Sequence, residues 1–127
     1  MKHIKDAILG VAIGDAVGVP FEFRTREQMQ LNPAKDMIGY GTHHQPQGTW
    51  SDDSSLTFCL AESLIKGYDI KDMSERFIAW KEESYWTAHG QVFDIGLTTA
   101  QSISQLKRII ERGELETLSM LKYSGDE

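Results

Sequence analysis

A hydroxyl residue and two adjacent carboxylates follow one another in the middle of the chain, at Ser51, Asp52 and Asp53. Adjacent side chains of a regular helix point about 100° apart, so neighbouring aspartates converge on one point only where the backbone turns. Hydroxyl and carboxylate oxygens are the ligands that Mg²⁺ and Ca²⁺ prefer. Ser51 is also a favourable N-cap, and the helix dipole favours acids in a first turn. The triplet therefore indicates either a well-capped helix start or half of a site for a hard metal ion.

A second candidate acid, Glu22, follows Pro20 in a segment that cannot continue the preceding helix, so a loop presents its carboxylate between Phe21 and Phe23. Flanking aromatic rings would limit its hydration and raise its pKa, as general acid–base chemistry requires. The alternative is an ordinary solvated loop acid. Asp15, at the end of a glycine-rich helix, is interpreted as a structural acid or as one that orients metal ligands.

Three segments resemble, in the same order, the signature segments of the ADP-ribosylglycohydrolase family. Residues 10–23 (GVAIGDAVGVPFEF) are similar to its G-D-A-x-G-x-P-x-E segment. Residues 48–54 (GTWSDDS) match G-x-[WY]-[ST]-D-D-[ST], and residues 93–99 (FDIGLTT) are similar to D-I-G-x-T. The resemblance spans essentially all 127 residues. It implies an all-α fold, a compact orthogonal helical bundle, and hydrolysis of the glycosidic bond of ADP-ribosylated proteins or ADP-ribose-like small molecules.

The resemblance also implies a role for each of these acids. Metal ions held by Ser51, Asp52 and Asp53 would grip the ribose hydroxyls and orient a water molecule. Glu22 would accept the proton of that water. The reaction passes through an oxocarbenium-like state, so a nearby carboxylate such as Asp53 would stabilise the developing positive charge. The implied catalytic residues are Glu22 and Asp53, and the implied cofactor is Mg²⁺ in a two-metal site.

The turn at Gly96 and Thr98 leads into a helix whose free N–H groups could receive the diphosphate of ADP-ribose. A glycine and threonine helix cap is the alternative interpretation of these two residues.

The resemblance covers the N-terminal half of the family only. Relatives add a second D-x-D-[ST] cluster and a G-N-G loop, whereas the later acidic pair of this chain is Asp126 and Glu127. We therefore expect an incomplete hydrolase that binds Mg²⁺ weakly or not at all and is inactive alone. The alternative is a non-catalytic helical binding module derived from the family. Either would leave apolar surface for self-association or for a complementary C-terminal half.

Composition narrows the class of protein. The net charge of -6 argues against nucleic-acid binding, which depends on clustered Lys and Arg. The single cysteine, Cys59, excludes an intrachain disulfide, lies in an apolar run and is predicted to be buried. The sequence shows no export signal and no membrane-spanning run, so a cytoplasmic protein is expected.

Apolar spacing predicts helices throughout a single domain covering residues 1–127. Gly10, Gly14 and Gly18 should let another backbone approach the first helix closely. Between the helices, residues 32–50 form a long loop of the kind that often serves as a lid or binding loop. The predicted helices are 2–16, a short one capped by Thr25 and ending before Pro33, 52–66, one capped by Asp69 or Asp72 and ending near 83, 96–112, and a last one through Leu115, Leu118 and Leu121.

The same spacing assigns inward faces to two of these helices. Leu56, Cys59, Leu60 and Leu64 are predicted to point inward from helix 52–66. From helix 96–112 the inward residues are Ile103, Leu106 and Ile110. His43 and His44 are interpreted as exposed loop residues, because no third nitrogen or sulfur ligand for zinc lies at a suitable spacing.

Overall fold

The computed structural model describes residues 2–118, which fold into six α-helices with no sheet in that range. The all-α class predicted from the sequence is confirmed. The helices are α1 (Lys2–Gly18), α2 (Arg26–Leu31), α3 (Asp52–Leu64), α4 (Ile70–Glu83), α5 (Leu97–Glu111) and α6 (Leu115–Leu118). Of two 3₁₀ turns, Val19–Phe21 ends directly before Glu22, and Gly41–His43 includes His43. Leu121, Asp126 and Glu127 lie outside the described residues.

Side-chain caps fix the starts of two helices as their sequences indicate. Thr25 and Gln28 form a reciprocal capping box at α2, with N···O distances of 3.2 and 2.8 Å. Of the two candidate caps for α4, the structure selects Asp69, whose carboxylate accepts from the backbone N–H groups of Lys71 and Asp72. The predicted and observed helix ends agree to within two residues at these positions.

The core lies where α3, α4 and α5 meet. Its fully buried apolar residues are Cys59, Trp80 and Ile103, one from each helix. The predicted burial of Cys59 is confirmed. α3 packs against α4 on one side and contacts α1 on another, while α4 packs against α5. This arrangement leaves α1 attached mainly by its C-terminal end, where Ala16 is buried.

Burial along α3 differs from the prediction. The fully buried stripe consists of Ser55, Cys59 and Ser63, whereas Leu60 and Leu64 are exposed. The two stripes are offset by one residue, or about 100° around the helix. Small side chains in the buried stripe let α4 approach α3 closely, so the leucine stripe is rotated away from the contact.

The close backbone approach expected at the glycines of α1 is not found among residues 2–118. Within this range, a Cβ atom added at Gly10, Gly14 or Gly18 would meet no heavy atom within 4 Å. The apolar side chains of Ile4 and Ile13 are likewise exposed. No described backbone packs against this face, because α1 meets α3 through Asp15 and its neighbours instead. None of the described helices is both long and apolar enough to cross a membrane.

Candidate active site

The N-terminus of α3 is held by a carboxylate from α1. Asp15 Oδ2 accepts hydrogen bonds from the backbone N–H groups of Ser51 and Ser54, at 2.8 and 3.2 Å, and from Ser54 Oγ at 2.5 Å. Its Oδ1 accepts from Ser51 Oγ at 2.7 Å. Ser51 occupies the N-cap position as predicted, but its own hydroxyl makes no cap. Asp15 therefore supplies, from another helix, the negative charge that the helix N-terminus favours.

An open groove of about 540 Å³ runs beside this junction. Asp53 and Glu22 line it together with Asp15. Gly14 and Gly18 line it too, and because they have no side chains, nothing projects from these two positions into the groove. The structure thus brings the two predicted catalytic carboxylates into one solvent-accessible space.

The predicted metal ligands do not all face this groove. Asp52 lines a narrow adjacent crevice with Trp50, Ser55, Trp80 and others, whereas Asp53 opens onto the groove. Burial raises the pKa of Asp52, and the negative charge of Asp53 raises it further. The hydroxyl of Ser51 is buried and donates to Asp15. The divergence of the two aspartates follows from their place in a regular first helical turn.

Glu22 is paired with a histidine. His43 Nε2 lies 2.6 Å from Glu22 Oε2 and 3.5 Å from Asp94 Oδ2. The imidazole is only 12% exposed and contacts the rings of Phe23 and Phe93, at centroid distances of 5.7 and 5.3 Å. The interpretation of His43 as an exposed loop residue is therefore wrong. Its partners lie far away along the chain, so local spacing carried no signal of the pairing.

The segment around His43 is docked by a close backbone contact. Gly41 has φ +58°, and a Cβ there would lie 2.2 Å from the carbonyl oxygen of Pro20. The hydroxyl of Thr42 donates to the Glu22 carbonyl at 2.7 Å. Only glycine allows this approach at position 41, because any side chain would collide with the backbone. The long loop expected from the sequence is thus anchored against the very turn that carries Glu22.

Burial raises the pKa of Glu22, in the direction expected from the sequence. The hydrogen bond and positive charge of His43 oppose this effect, and the negative charge of Asp94 adds to it. One neighbour therefore lowers the pKa of this carboxylate while the other raises it, and pKa values shifted in this way are typical of acid–base groups at functional sites.

Comparison with known proteins shows to which family the chain belongs. The family model for ADP-ribosylglycohydrolases matches residues 1–124. The chain belongs to this family. It is 39% identical over 107 residues to the ADP-ribosylarginine hydrolase Tri1 of Serratia proteamaculans, covering 83% of this chain and 28% of that protein. The corresponding hydrolase of Pseudomonas putida is 35% identical over 105 residues, covering 81% of this chain and 28% of that protein.

A third relative, the ADP-ribosyl-[dinitrogen reductase] glycohydrolase of Rhodospirillum rubrum, is 36% identical over 78 residues, or 58% of this chain and 26% of that protein. The chain spans under a third of the length of these curated relatives.

The two predicted substrate-binding residues of this ADP-ribosylglycohydrolase family member are placed differently. Gly96 is the N-cap of α5, with no side chain capping the helix, and directly follows the segment that carries Asp94. Thr98 instead lines a separate, largely apolar cleft with Leu56 and Phe77. The structure therefore does not bring Thr98 to the groove of Asp53.

A mixed ligand set that differs from the predicted one includes Glu22, which lines the groove. Glu22, His43 and Asp94 each offer one ligand atom, all within 4.8 Å of one another, so this group could hold a metal ion. It combines one nitrogen with carboxylate oxygens, whereas the predicted set at 51–53 contains oxygen only. Sequence reasoning did not identify this second set.

Proposed function

We propose that this chain contributes Glu22 and Asp53 to the hydrolysis of the glycosidic bond that joins ADP-ribose to a protein side chain or a small molecule. The observation that carries the proposal is that these two carboxylates line one open groove. The family match and the names of the relatives support the substrate class.

In this proposal the bond between C1 of the ribose and the acceptor atom breaks through an oxocarbenium-like state. Asp53 stabilises the positive charge that develops there, while Glu22 accepts a proton from the water whose oxygen bonds to C1, and this proton then passes to the departing acceptor atom. The hydrogen bond with His43 lowers the pKa of Glu22 against the effect of burial, and so helps to keep this carboxylate ionised, as a general base must be. Asp15 positions the start of α3, and with it Asp53, relative to the groove.

We propose Mg²⁺ as the cofactor, with Ser51, Asp52 and Asp53 as its ligands from this chain. Asp53 already opens onto the groove, whereas Asp52 and the Ser51 hydroxyl, which donates to Asp15, would have to turn toward the ion. The all-oxygen donor set fits a hard cation of this kind. When bound, the ion would supply positive charge that holds the ribose hydroxyls and orients water. These residues provide only part of an octahedral shell, so we expect Mg²⁺ to bind this chain weakly, in the range of about 1 mM or above.

ADP-ribosylated arginine is the first substrate to test, because two relatives are named as ADP-ribosylarginine hydrolases. The backbone N–H groups at the start of α5, after Gly96, are proposed to bind the diphosphate. Thr98 belongs to the same proposal with less support, since it lines another cleft.

A chimera tests the function. This chain replaces the matching segment of the Serratia hydrolase, and release of ADP-ribose from ADP-ribosylated arginine is measured with Mg²⁺ and with EDTA. We expect turnover by the chimera but none by this chain alone. Asp52→Asn, Asp53→Asn and Glu22→Gln should each lower kcat by about 100-fold or more, whereas Asp36→Asn in an exposed loop should not.

Unchanged rates in both aspartate variants would contradict the assignment of the 51–53 site. Turnover by this chain alone would contradict its expected incompleteness. A folded but inactive chimera would support the alternative of a non-catalytic binding module.

A further inference from the structure

One imidazole nitrogen lies close to two carboxylates, of which Glu22 lines the groove. His43 Nε2 is 2.6 Å from Glu22 Oε2 and 3.5 Å from Asp94 Oδ2. We propose that His43 is a positioning residue, which donates its Nε2–H to Glu22 and so fixes the carboxylate for proton transfer. This inference rests on the proposed function of Glu22.

The position of the proton follows from charge. An unprotonated Nε2 would direct its lone pair at two carboxylate oxygens, which repel it, whereas an Nε2–H group is attracted to both. The distance of 2.6 Å is at or below the short end of the range of about 2.7–2.9 Å for charge-assisted N–H···O⁻ hydrogen bonds, so the two atoms are close enough for such a bond. Asp94, at 3.5 Å, is too distant for a good hydrogen bond and acts through its charge. Its charge therefore favours a proton on Nε2 over a lone pair there.

The surroundings shield the imidazole side of this bond from water, whereas the Glu22 side chain stays 34% exposed toward the groove. The rings of Phe23 and Phe93 contact the imidazole, whose exposed fraction is 12%. A hydrogen bond in such a site is electrostatically stronger than one in water. The backbone also holds His43 in place, since its carbonyl accepts from the Gln45 side chain at 3.2 Å.

Several residues in or next to the group formed by Glu22, His43 and Asp94 (the cluster) have an unusual backbone conformation. Phe23, His44 and Asp94 all have positive φ, at 62, 53 and 50°, although none is glycine. Each of them is a member of the cluster or the neighbour of one. Such conformations persist where the surrounding structure over-determines them, and they concentrate at functional sites.

The geometry favours this pairing over shared metal ligation. Two ligands that bind one Mg²⁺-sized cation at right angles stand about 2.9 Å apart, given bond lengths of about 2.0–2.1 Å. His43 Nε2 and Glu22 Oε2 are closer than that, at 2.6 Å, and a proton fits between them.

The first test uses this chain itself, labelled with ¹⁵N in its histidines. Two-bond ¹⁵N–¹H correlation spectra should show His43 protonated at Nε2, with a proton resonance shifted downfield and slow to exchange. His44→Gln, a matched change on the adjacent exposed residue, should leave that resonance unchanged. A neutral His43 protonated only at Nδ1 would overturn the proposal, and so would tight Zn²⁺ binding that displaces the Nε2 proton.

The second test uses the chimera and two polar variants. The amide nitrogen of glutamine is as many bonds from Cα as Nε2, whereas that of asparagine corresponds to Nδ1. We therefore expect His43→Gln to retain activity within about 10-fold, and His43→Asn to lose on the order of 10- to 100-fold in kcat with KM unchanged. His44→Gln should match the unsubstituted chimera.

Equal rates for the two His43 variants would overturn the positioning role, because a merely structural role does not depend on the position of one donor. The two proposals fail separately. An inactive unsubstituted chimera contradicts the proposed function, while the spectra of this chain still decide where the proton of His43 lies.

Discussion

Asp15 has the densest hydrogen bonding of the acids around the groove. Four donors from Ser51 and Ser54 converge on its two oxygens. The sequence indicated a structural or orienting acid here, and that interpretation agrees with these contacts. What the sequence could not indicate was the partner, because Ser51 lies 36 residues away and serine followed by two acids already explains a helix start by itself.

Removing the Asp15 carboxylate should destabilise the protein. We expect Asp15→Ala to lower the free energy of unfolding by about 2 kcal/mol, since it removes a charged cap and leaves several donors without an acceptor. Asp15→Asn should cost less, because one oxygen still accepts. Urea unfolding followed by circular dichroism measures both. Asp6→Asn, an exposed acid on the same helix, is the control and should change little; a similar loss there would mean that charge alone, not the cap, is responsible.

The residues of the site divide by how local their signal is. Ser51, Asp52, Asp53 and Glu22 could be proposed from the sequence because each stands within a short segment whose order is informative, and their roles stay predictions. His43 could not, since its pairing with Glu22 depends on a contact across 21 residues and on the docking of a loop. A pair of histidines in a polar loop is more often solvated than buried, so the general expectation was reasonable and the tertiary contact overrode it.

At the scale of elements, the segment that follows α4 is hydrogen-bonded to one carboxylate of α3. Glu62 Oε2 accepts from the Tyr85 hydroxyl at 2.6 Å and from Trp86 Nε1 at 2.7 Å, and it pairs with Arg76 at 2.7 Å. This segment continues to Asp94, beside His43. Glu62 therefore helps to set the path of the chain into the candidate site, although it lies on another face of α3.

Neutralising Glu62 should cost stability in a pH-dependent way. The hydrogen bond from Tyr85 is the main factor that lowers the pKa of Glu62, so its stabilising effect is present above the unfolded pKa and lost as the pH falls through the folded one. We expect Glu62→Gln to lower the free energy of unfolding by about 1 kcal/mol at pH 7 and by little near pH 3. Urea unfolding at both pH values measures this. Glu75→Gln, which breaks only an exposed pair at 3.8 Å with Lys71, should be nearly neutral at both; a pH-independent loss for Glu62→Gln would contradict the argument.

The helices themselves were largely predictable, and their packing was not. Apolar period and cap residues gave the starts of α2, α3 and α4 because those signals act within one turn. The buried stripe of α3 was missed because Ser55 and Ser63 are polar, and only close approach of α4 makes small residues the buried ones. The rule that leucine points inward fails where backbone proximity, rather than apolar area, decides the contact.

For the whole molecule, the described core is narrow and centres on Cys59, which has no exposed surface. Burial raises the pKa of its thiol to about 11, so the reactive thiolate is scarce at neutral pH. We expect iodoacetamide to label Cys59 in the native protein at least about 1,000-fold more slowly than in urea, with a rate that follows unfolding. Mass spectrometry over a urea series measures it. Labelling at the rate of a free thiol in native buffer would show that α3, α4 and α5 open locally around Cys59.

The exposed apolar surface of the described residues is a property of the whole molecule and leads to a prediction about its assembly. Of the faces predicted to point inward, the one on α3 is partly uncovered at Leu60 and Leu64, whereas Ile103 of α5 is buried. Leu9 and Ile13 of α1 and Leu97 of α5 are among the other exposed apolar side chains. At about 25 cal/mol per Å², covering a few hundred Å² of such surface is worth several kcal/mol, and a two-fold contact covers the same patch on both copies. We therefore expect light scattering to show a concentration-dependent dimer at high micromolar concentration. Ile13→Lys should return it to a monomer, whereas Leu31→Lys on α2, at a side chain that is 88% exposed, should not. A stable monomer that binds no apolar dye would contradict the prediction. An uncovered apolar patch should cause either self-association or dye binding, and neither would then be seen.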